Sequence, residues 1–182
     1  EFYMPDPGIL DWLKVAPDEP YAILRFVSWN ATHDVGLKGL SVDEKVELVR
    51  RLSGRMKVFI TSERGVPSEL EPYVMKIPPE RFHHALRFAR IVITEGTTTG
   101  AEAAVLGVPV VFVSTYRAAH LHEMEGSGLV ANTTNGPDAF SAIERMLLLD
   151  PHEYRERAAK FIATKVNATR FYHRFIRERY MG

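Results

Sequence analysis

Short apolar runs alternate with amphipathic stretches along most of the chain. Residues 21–27 (YAILRFV) form an apolar run of the kind that predicts a buried strand. Residues 42–52 instead place Val42, Val46, Val49 and Leu52 at helical spacing, which predicts a helix that buries one face. The same criteria predict five strands in all, over residues 21–27, 57–61, 73–77, 91–94 and 109–114.

Polar residues and prolines mark where the predicted helices begin. Ser41 followed by Glu44 forms a capping box ahead of the helix over 42–52. Pro79 stands in the first turn of a helix predicted over 79–89, where proline is tolerated. After residue 114 the pattern becomes helical, with Pro137 and Pro151 as start signals. The predicted helices there cover residues 116–125, 137–149, 151–165 and 166–180.

The order of these elements predicts the fold class. Strands that alternate with helices, several of them apolar throughout, indicate a parallel sheet that is covered on both faces. We therefore predict an α/β fold with a doubly wound parallel sheet. Ligands of such sheets bind beyond the carboxyl ends of the strands, so the loops after residues 27, 61, 77, 94 and 114 are expected to share one rim.

One of these loops has a composition suited to a nucleotide. Residues 91–109 (IVITEGTTTGAEAAVLGVP) join an apolar strand, a Gly/Thr loop and an Ala-rich helix. Anions bind readily at a helix amino end, which has unpaired N–H groups and the positive end of the peptide dipole. Glu102, one turn further on, repels phosphate but accepts hydrogen bonds from a sugar diol. The alternative is a threonine-capped connection that needs no ligand.

Composition and charge narrow the function classes. A chain of 182 residues that is 46% hydrophobic is sufficient for about one domain with a core. Lys+Arg and Asp+Glu both number 23, so no net charge favours a nucleic-acid partner. The sequence shows neither a transmembrane segment nor a signal peptide, and a cytoplasmic location is expected. Because there are no cysteines, any metal site would need histidines and carboxylates alone.

Several motifs, in the right order, resemble a known family. They are residues 24–29 (LRFVSW), 33–36 (HDVG), 59–63 (FITSE) and 102–107 (EAAVLG). With residues 78–113, they resemble the C-terminal, nucleotide-binding half of a GT-B type glycosyltransferase, a fold with Rossmann-like halves that includes the UDP-N-acetylglucosamine 2-epimerases. The closer resemblance, over about residues 3–129, is to an uncharacterised prokaryotic family of glycosyltransferase-like proteins.

The resemblance implies a domain organisation and a partner. Residues 1–20, with four prolines, are expected to be a linker with one short helix. Residues 21–165 would form the nucleotide-sugar-binding domain, and residues 166–182 a helix that docks on an N-terminal α/β domain. Family members carry that additional domain, so we expect this chain to be the donor-binding half of an active site and inactive alone. The sequence leaves open whether the chain forms a homo-oligomer.

The resemblance also assigns roles to individual residues. The epimerases contact the diphosphate with a Ser-Gly-Gly loop, and here threonines replace the glycines, which narrows the loop. A glutamate of the epimerases holds the ribose, and the main chain of a residue before the loop recognises uracil. Carried over, these roles fall on Gly96, Thr97, Thr98 and Thr99 for the diphosphate, Glu102 for the ribose, and Phe82 and His83 for the base.

Three further polar residues have two interpretations each. Arg25 lies inside an apolar strand and either contacts phosphate or pairs with Glu63 or Glu95. His33 beside Asp34 is a candidate acid/base catalyst, although a loop histidine that merely hydrogen bonds is commoner. Glu95 is a second catalytic candidate that would orient donor hydroxyls, or its charge caps the helix start.

A metal or cofactor is not expected. His120, His122, Glu123 and Glu125 are potential ligands, but no second cluster at ligand spacing supports them. GT-B enzymes generally need no bound metal, so the helix dipole and Arg25 would offset the charge of the diphosphate.

The sequence thus predicts a domain that binds a nucleotide-diphosphate sugar, expected to be UDP-linked, within a glycosyltransferase-like protein. One alternative is a UDP-N-acetylglucosamine 2-epimerase-like activity, although residues 30–36 match the epimerase catalytic loop only loosely. The other alternative is a noncatalytic module that binds a nucleotide or a protein.

Overall fold

The computed structural model describes residues 3–28 and 36–180. Five strands form one sheet in the order β2-β1-β3-β4-β5, and every neighbouring pair is parallel. Helices surround the sheet, so the predicted α/β fold with a doubly wound parallel sheet is confirmed. The strands are β1 (Tyr21–Phe26), β2 (Lys57–Ser62), β3 (Ile91–Thr94), β4 (Val110–Val113) and β5 (Val130–Thr133).

Eight α-helices precede, connect or follow the strands within the described ranges. The capping box at the start of α2 is present, because Ser41 Oγ accepts from the Glu44 N–H and Glu44 Oε2 accepts from the Ser41 N–H. The helices are α1 (Ile9–Leu13), α2 (Val42–Ser53), α3 (Phe82–Phe88), α4 (Thr97–Val105), α5 (Ala119–Gly126), α6 (Gly136–Leu147), α7 (Pro151–Ala163) and α8 (Ala168–Tyr180).

The core consists of two apolar layers, one on each face of the sheet. Successive residues of a strand point to opposite faces, and accordingly Ile23 and Val92 lie in one layer while Leu24 and Ile93 lie in the other. The first layer includes residues from α1, α3, α4, α5 and α7, and the second includes residues from α2 and α6. Helix α1 is therefore part of the packing, while the predicted domain boundaries stay predictions.

Two details of the sheet correct the sequence-based prediction. The strand predicted over 73–77 is wrong: a 3₁₀ helix occupies Ser68–Tyr73, and only Val74 forms an isolated bridge with Ile60. Pro72 and Pro78 flank this segment, and proline cannot donate to a strand ladder. Strand β5 was not predicted, because its four residues include the polar Asn132 and follow a stretch with a helical pattern.

Helix α8 lies outside both core layers. All of its residues are exposed, including Phe171, Tyr172, Phe175 and Ile176. Its docking on another domain stays a prediction. Over residues 3–28 and 36–180, no helix has the length and apolar character needed to cross a membrane.

Candidate functional site

A cavity of about 620 Å³ lies at the carboxyl ends of β1, β2 and β3. This is the rim where a parallel α/β sheet binds its ligands. The wall has a polar side and an apolar side. The polar lining comprises Arg25, Thr61, Glu63, Gly96, Thr97, Thr98, Thr99 and Glu102, and the apolar lining comprises Val27, Met75, Ile77, Pro79 and Phe82.

The amino end of α4 opens into this cavity. Its N-cap residue is Gly96, which has extended backbone angles and no side chain to cap the helix. Thr94 Oγ1 instead fixes the turn, accepting from the Gly96 N–H at 2.9 Å and donating to the Gly96 carbonyl at 3.0 Å. Among the described residues no group accepts from the N–H groups of Thr97, Thr98 or Thr99. The threonine-capped alternative is therefore absent, and these donors stay available.

Small residues bring α4 close to the sheet. A β-carbon at Gly100 would lie 3.4 Å from Thr94 Cγ2 and 3.6 Å from Leu121 Cδ2, so this face of the helix is already in contact. Ala103 and Ala104 on the same helix are completely buried. This packing fixes the direction of α4 and aims its free N–H groups at the cavity.

Glu102 lies one turn inside α4, on the cavity wall. Its side chain is 35% exposed, and its Oε1 lies 3.4 Å from His83 Nε2. His83 itself is outside the lining, whereas Phe82 is part of it. The structure thus brings Glu102 and Phe82 together with the Gly/Thr loop and places His83 behind Glu102.

Arg25 lines the cavity and also forms one of the ion pairs considered from sequence. Its Nη2 lies 3.1 Å from Glu63 Oε1, and the Arg25 side chain is 27% exposed. Glu63 Oε2 accepts from the N–H and the hydroxyl of Ser28 as well. Arg25 is therefore held at the rim by a carboxylate and still faces the cavity.

Glu95 is buried and fully engaged with protein groups. Its carboxylate accepts from the Val27 N–H at 2.9 Å and the Leu40 N–H at 2.8 Å, and it pairs with Lys45 Nζ at 3.1 Å. A β-carbon at Gly39 would lie 2.3 Å from Glu95 Oε1. Glu95 is absent from the cavity lining and joins the end of β1 to the start of α2. Its catalytic role stays a prediction, and the contact with Lys45 was not foreseen.

The sequence assigns no role to Thr61, Met75 or Ile77. Thr61 Oγ1 is buried in the cavity wall and has no hydrogen-bond partner among the described residues. Met75 and Ile77 were assigned to a strand, and their place on the wall follows from the irregular segment that replaces it. No local sequence signal identifies either feature, because both depend on contacts across the sheet edge.

The remaining candidates lie elsewhere. His33 falls in residues 29–35, outside the described residues. His122 Nδ1 lies 3.5 Å from Glu125 Oε2, while Glu123 pairs with Lys165. Within the described residues no three His, Cys, Asp or Glu side chains form a group that could hold a metal ion.

Comparison with known proteins identifies the fold class. No protein-family model matches the chain, and no curated protein matches it. Among solved structures, the chain has the fold shared by UDP-N-acetylglucosamine 2-epimerases and GT-B type glycosyltransferases.

Three solved structures illustrate the likeness. A structure of MnaA from S. aureus with UDP has a TM-score of 0.57 at 15% identity and covers 84% of this chain. The UDP-GlcNAc 2-epimerase of Methanocaldococcus jannaschii, in complex with UDP-GlcNAc and UDP, has a TM-score of 0.54 at 12% identity and covers 88% of this chain. A glycotransferase of kitacinnamycin has a TM-score of 0.53 at 18% identity and covers 80% of this chain. The chain spans 43%, 49% and 39% of these three proteins, so less than half of each is matched.

Proposed function

We propose that the chain binds a nucleoside-diphosphate sugar, with UDP as the nucleotide, and forms the donor half of a glycosyltransferase-like site. The observation that carries this proposal is the cavity at the carboxyl end of the sheet. It combines free backbone donors, a carboxylate and an apolar wall in about 620 Å³, a volume within the usual range for small-molecule sites.

The diphosphate would bind at the amino end of α4. The N–H groups of Thr97, Thr98 and Thr99 have no acceptor among the described residues, and the peptide dipole favours negative charge there. Arg25 lies at the same rim, where it would share its charge between the diphosphate and Glu63, with which it pairs at 3.1 Å. During transfer the same donors would stabilise the charge that develops on the leaving diphosphate.

The ribose would bind at Glu102 and the base against the apolar wall. Glu102 follows Thr98 by four residues, about 6 Å along a helix axis, a separation comparable to that between the phosphates and the ribose hydroxyls of a nucleotide. A carboxylate accepts hydrogen bonds from both hydroxyls of a diol. Phe82, Met75 and Ile77 offer an apolar surface to a planar base.

The proposed chemistry requires no metal ion, because backbone donors, the helix dipole and Arg25 would offset the diphosphate charge. UDP binding should then be equal in EDTA and in Mg²⁺. A strict requirement for Mg²⁺ would contradict this part of the proposal.

The central test compares UDP with uridine by calorimetry. The Thr97→Val, Thr98→Val double variant removes two hydroxyls beside the phosphates, and we expect about three- to tenfold weaker UDP binding with uridine affinity unchanged. The matched control is Thr169→Val on the exposed helix α8, which should bind both ligands normally. Equal losses for UDP and uridine would move the diphosphate elsewhere.

A second variant tests the ribose contact. Glu102→Gln removes the charge that accepts from the diol, so UDP and uridine should weaken by a similar factor, about tenfold. Glu69→Gln, at an exposed carboxylate outside the cavity, is the control. Unchanged uridine binding in Glu102→Gln would contradict the assignment.

Epimerisation is the second candidate, since solved structures with the same fold include UDP-N-acetylglucosamine 2-epimerases. An epimerase inverts one stereocentre and leaves the sugar attached to UDP, so it needs no acceptor, whereas a transferase releases UDP as it passes the sugar to an acceptor. Phosphorus NMR of UDP-GlcNAc incubated with the protein distinguishes these outcomes. Absence of any nucleotide binding would favour the noncatalytic alternative.

A further inference from the structure

A second cavity lies at the opposite, amino end of the sheet. It has a volume of about 230 Å³ and is bounded by the residues that precede β1, β3 and β4 and by the start of α7. Three arginines line it: Arg87 at the end of α3, Arg90 just before β3, and Arg155 in the first turns of α7. The sequence assigns no role at the nucleotide site to any of these three arginines.

In the described part of the chain Arg87 and Arg155 line this cavity and form no salt bridge with a carboxylate, and Asp150 interacts with Arg155 only at longer range. Partial burial, together with the positive charge of Arg155, lowers the pKa of Arg87. The stem of Arg155 packs over Gly107, where a β-carbon would lie 2.9 Å from Arg155 Cγ. Gly107 also has a φ of +78°, so this close approach depends on glycine. Two like charges are thus kept near each other.

Arg90 adds a third positive charge at greater depth. Its Nη2 donates to the carbonyls of Leu147 and Leu149 at 2.5 and 3.0 Å. Its Nη1 is buried and has no acceptor among the described residues. Since backbone carbonyls carry no net charge, the guanidinium is hydrogen-bonded but not neutralised.

The acidic residues nearby compensate only part of this charge. Glu19 lines the cavity but pairs with Lys57 at 3.0 Å and accepts from the Ala16 N–H. Asp150 lies close enough to interact with Arg90 and Arg155, yet its Oδ1 caps α7 by accepting from two backbone N–H groups. Asp18 lines the cavity at an exposed position. With Glu19 paired to Lys57, three arginines remain against two carboxylates, Asp18 and Asp150, which leaves an excess of one positive charge.

We propose that this cavity binds a small phosphate-type anion, either inorganic phosphate or a phosphate monoester, through Arg87 and Arg155. Guanidinium groups bind phosphate by paired, charge-assisted hydrogen bonds, and the charge of Arg90 strengthens the attraction. The volume suits a phosphate with a small substituent and is too small for a nucleotide sugar. The proposal is independent of the nucleotide site, because the two cavities lie at opposite ends of the strands.

The test is a calorimetric titration of the protein with inorganic phosphate and, separately, with glycerol 3-phosphate, in the presence of saturating UDP so that the rim of α4 is occupied. If the protein binds no UDP, the same titration is run in the Thr97→Val, Thr98→Val variant. We expect one anion per chain and at least about tenfold weaker binding in Arg155→Gln and in Arg87→Gln. Tighter binding of glycerol 3-phosphate would identify a monoester as the ligand, and equal or weaker binding would identify phosphate itself.

Two controls keep the result specific. Arg177→Gln removes an exposed arginine from α8, outside the cavity, and should leave anion binding unchanged. Arg87→Lys retains the charge and should lose less affinity than Arg87→Gln, which separates a charge effect from misfolding. Equal anion affinity in the parent and in Arg155→Gln, or binding of a poly-glutamate peptide but of neither phosphate, would overturn the proposal.

Discussion

The two ends of the sheet carry different kinds of group for the negative charge that each is proposed to bind. At the carboxyl end, the donors are backbone N–H groups and threonine hydroxyls at the start of α4, and Glu63 and Glu102 stand beside them. At the amino end, the charge comes from the guanidinium groups of Arg87, Arg90 and Arg155. The first arrangement suits a ligand that combines phosphates with hydroxyls, because each of its parts needs a different partner.

The difference shows what a carboxylate near a phosphate site contributes. Glu102 would weaken the binding of a bare phosphate by repulsion, so it is useful only where a diol is also bound. The arginine cavity also has carboxylates in its lining, Asp18 and Glu19, but its three arginines outnumber them. We therefore expect the carboxyl end to select a whole nucleotide and the amino end to accept small anions generally.

The largest effect is expected from a substitution that disrupts contacts at the carboxyl end of the sheet alone. Gly39→Ala would force a methyl group to within 2.3 Å of Glu95 Oε1, the oxygen that accepts from Leu40 and pairs with Lys45. Crowding a buried carboxylate in this way should lower the free energy of unfolding by about 2–3 kcal/mol. Urea denaturation followed by circular dichroism measures this change.

Gly54→Ala is the matched control, since a β-carbon there meets no atom within 4 Å. Its stability should equal or slightly exceed that of the parent. If Gly39→Ala proved as stable as Gly54→Ala, the contacts of Glu95 with Leu40 and Lys45 would not contribute to stability. Phosphate binding at the arginine cavity should survive Gly39→Ala, because the two ends share none of these contacts.

How far the sequence predicts the molecule differs between these two ends. The Gly/Thr loop, Arg25, Phe82 and Glu102 were all expected at one rim, and the structure places all of them on one cavity. The prediction succeeded because strand, turn and helix are adjacent in sequence and follow simple periodicity. The roles proposed for these residues stay predictions.

The amino end could not be foreseen in this way. Arg87 at the end of α3 and Arg90 just before β3 are three residues apart, but Arg155 belongs to α7, and only the packing of α7 over Gly107 brings it to the other two. The partners of Glu95, which are Val27, Leu40 and Lys45, also lie far from it in sequence. Strand β5 was missed for a related reason, because four residues carry too little periodicity to compete with the helical pattern around them.

A smaller effect should separate the two ends by their response to salt. Binding through exposed arginine charges is screened, so raising KCl from about 50 to about 500 mM should weaken phosphate binding several-fold. UDP binding should weaken less, because fixed backbone donors supply most of its contacts. Parallel titrations at both concentrations test this, and an equal salt dependence would remove the distinction.

The smallest expected effect concerns the pH dependence of stability at the carboxyl end. Hydrogen bonds from the Ser41 N–H above all, and from the Gly136 N–H, lower the pKa of Glu44 below its usual value of about 4.5. A lowered folded pKa means that the stabilisation is present above the unfolded pKa and is lost as the pH falls through the folded pKa. Glu44→Gln should therefore be less stable than the parent at pH 7 by under about 1 kcal/mol.

The difference between the parent and Glu44→Gln should shrink as the pH falls below about 4.5. Thermal unfolding at several pH values between neutral and acid measures it. Glu69→Gln should leave the profile unchanged, since Glu69 is exposed and joins no two elements. A stability difference between the parent and Glu44→Gln that grows as the pH falls would contradict the predicted direction of the pH dependence.

Because Gly96 supplies no capping side chain, the N–H donors at the start of α4 belong to the main chain and are not used by a cap. An alanine scan of this loop would leave every one of those N–H groups in place and would understate their importance. Replacing a single amide by an ester at Thr98, or introducing proline there, removes a donor without altering the neighbouring side chains. The donors of this rim are therefore set by chain geometry, so side-chain substitutions in the loop can leave them in place.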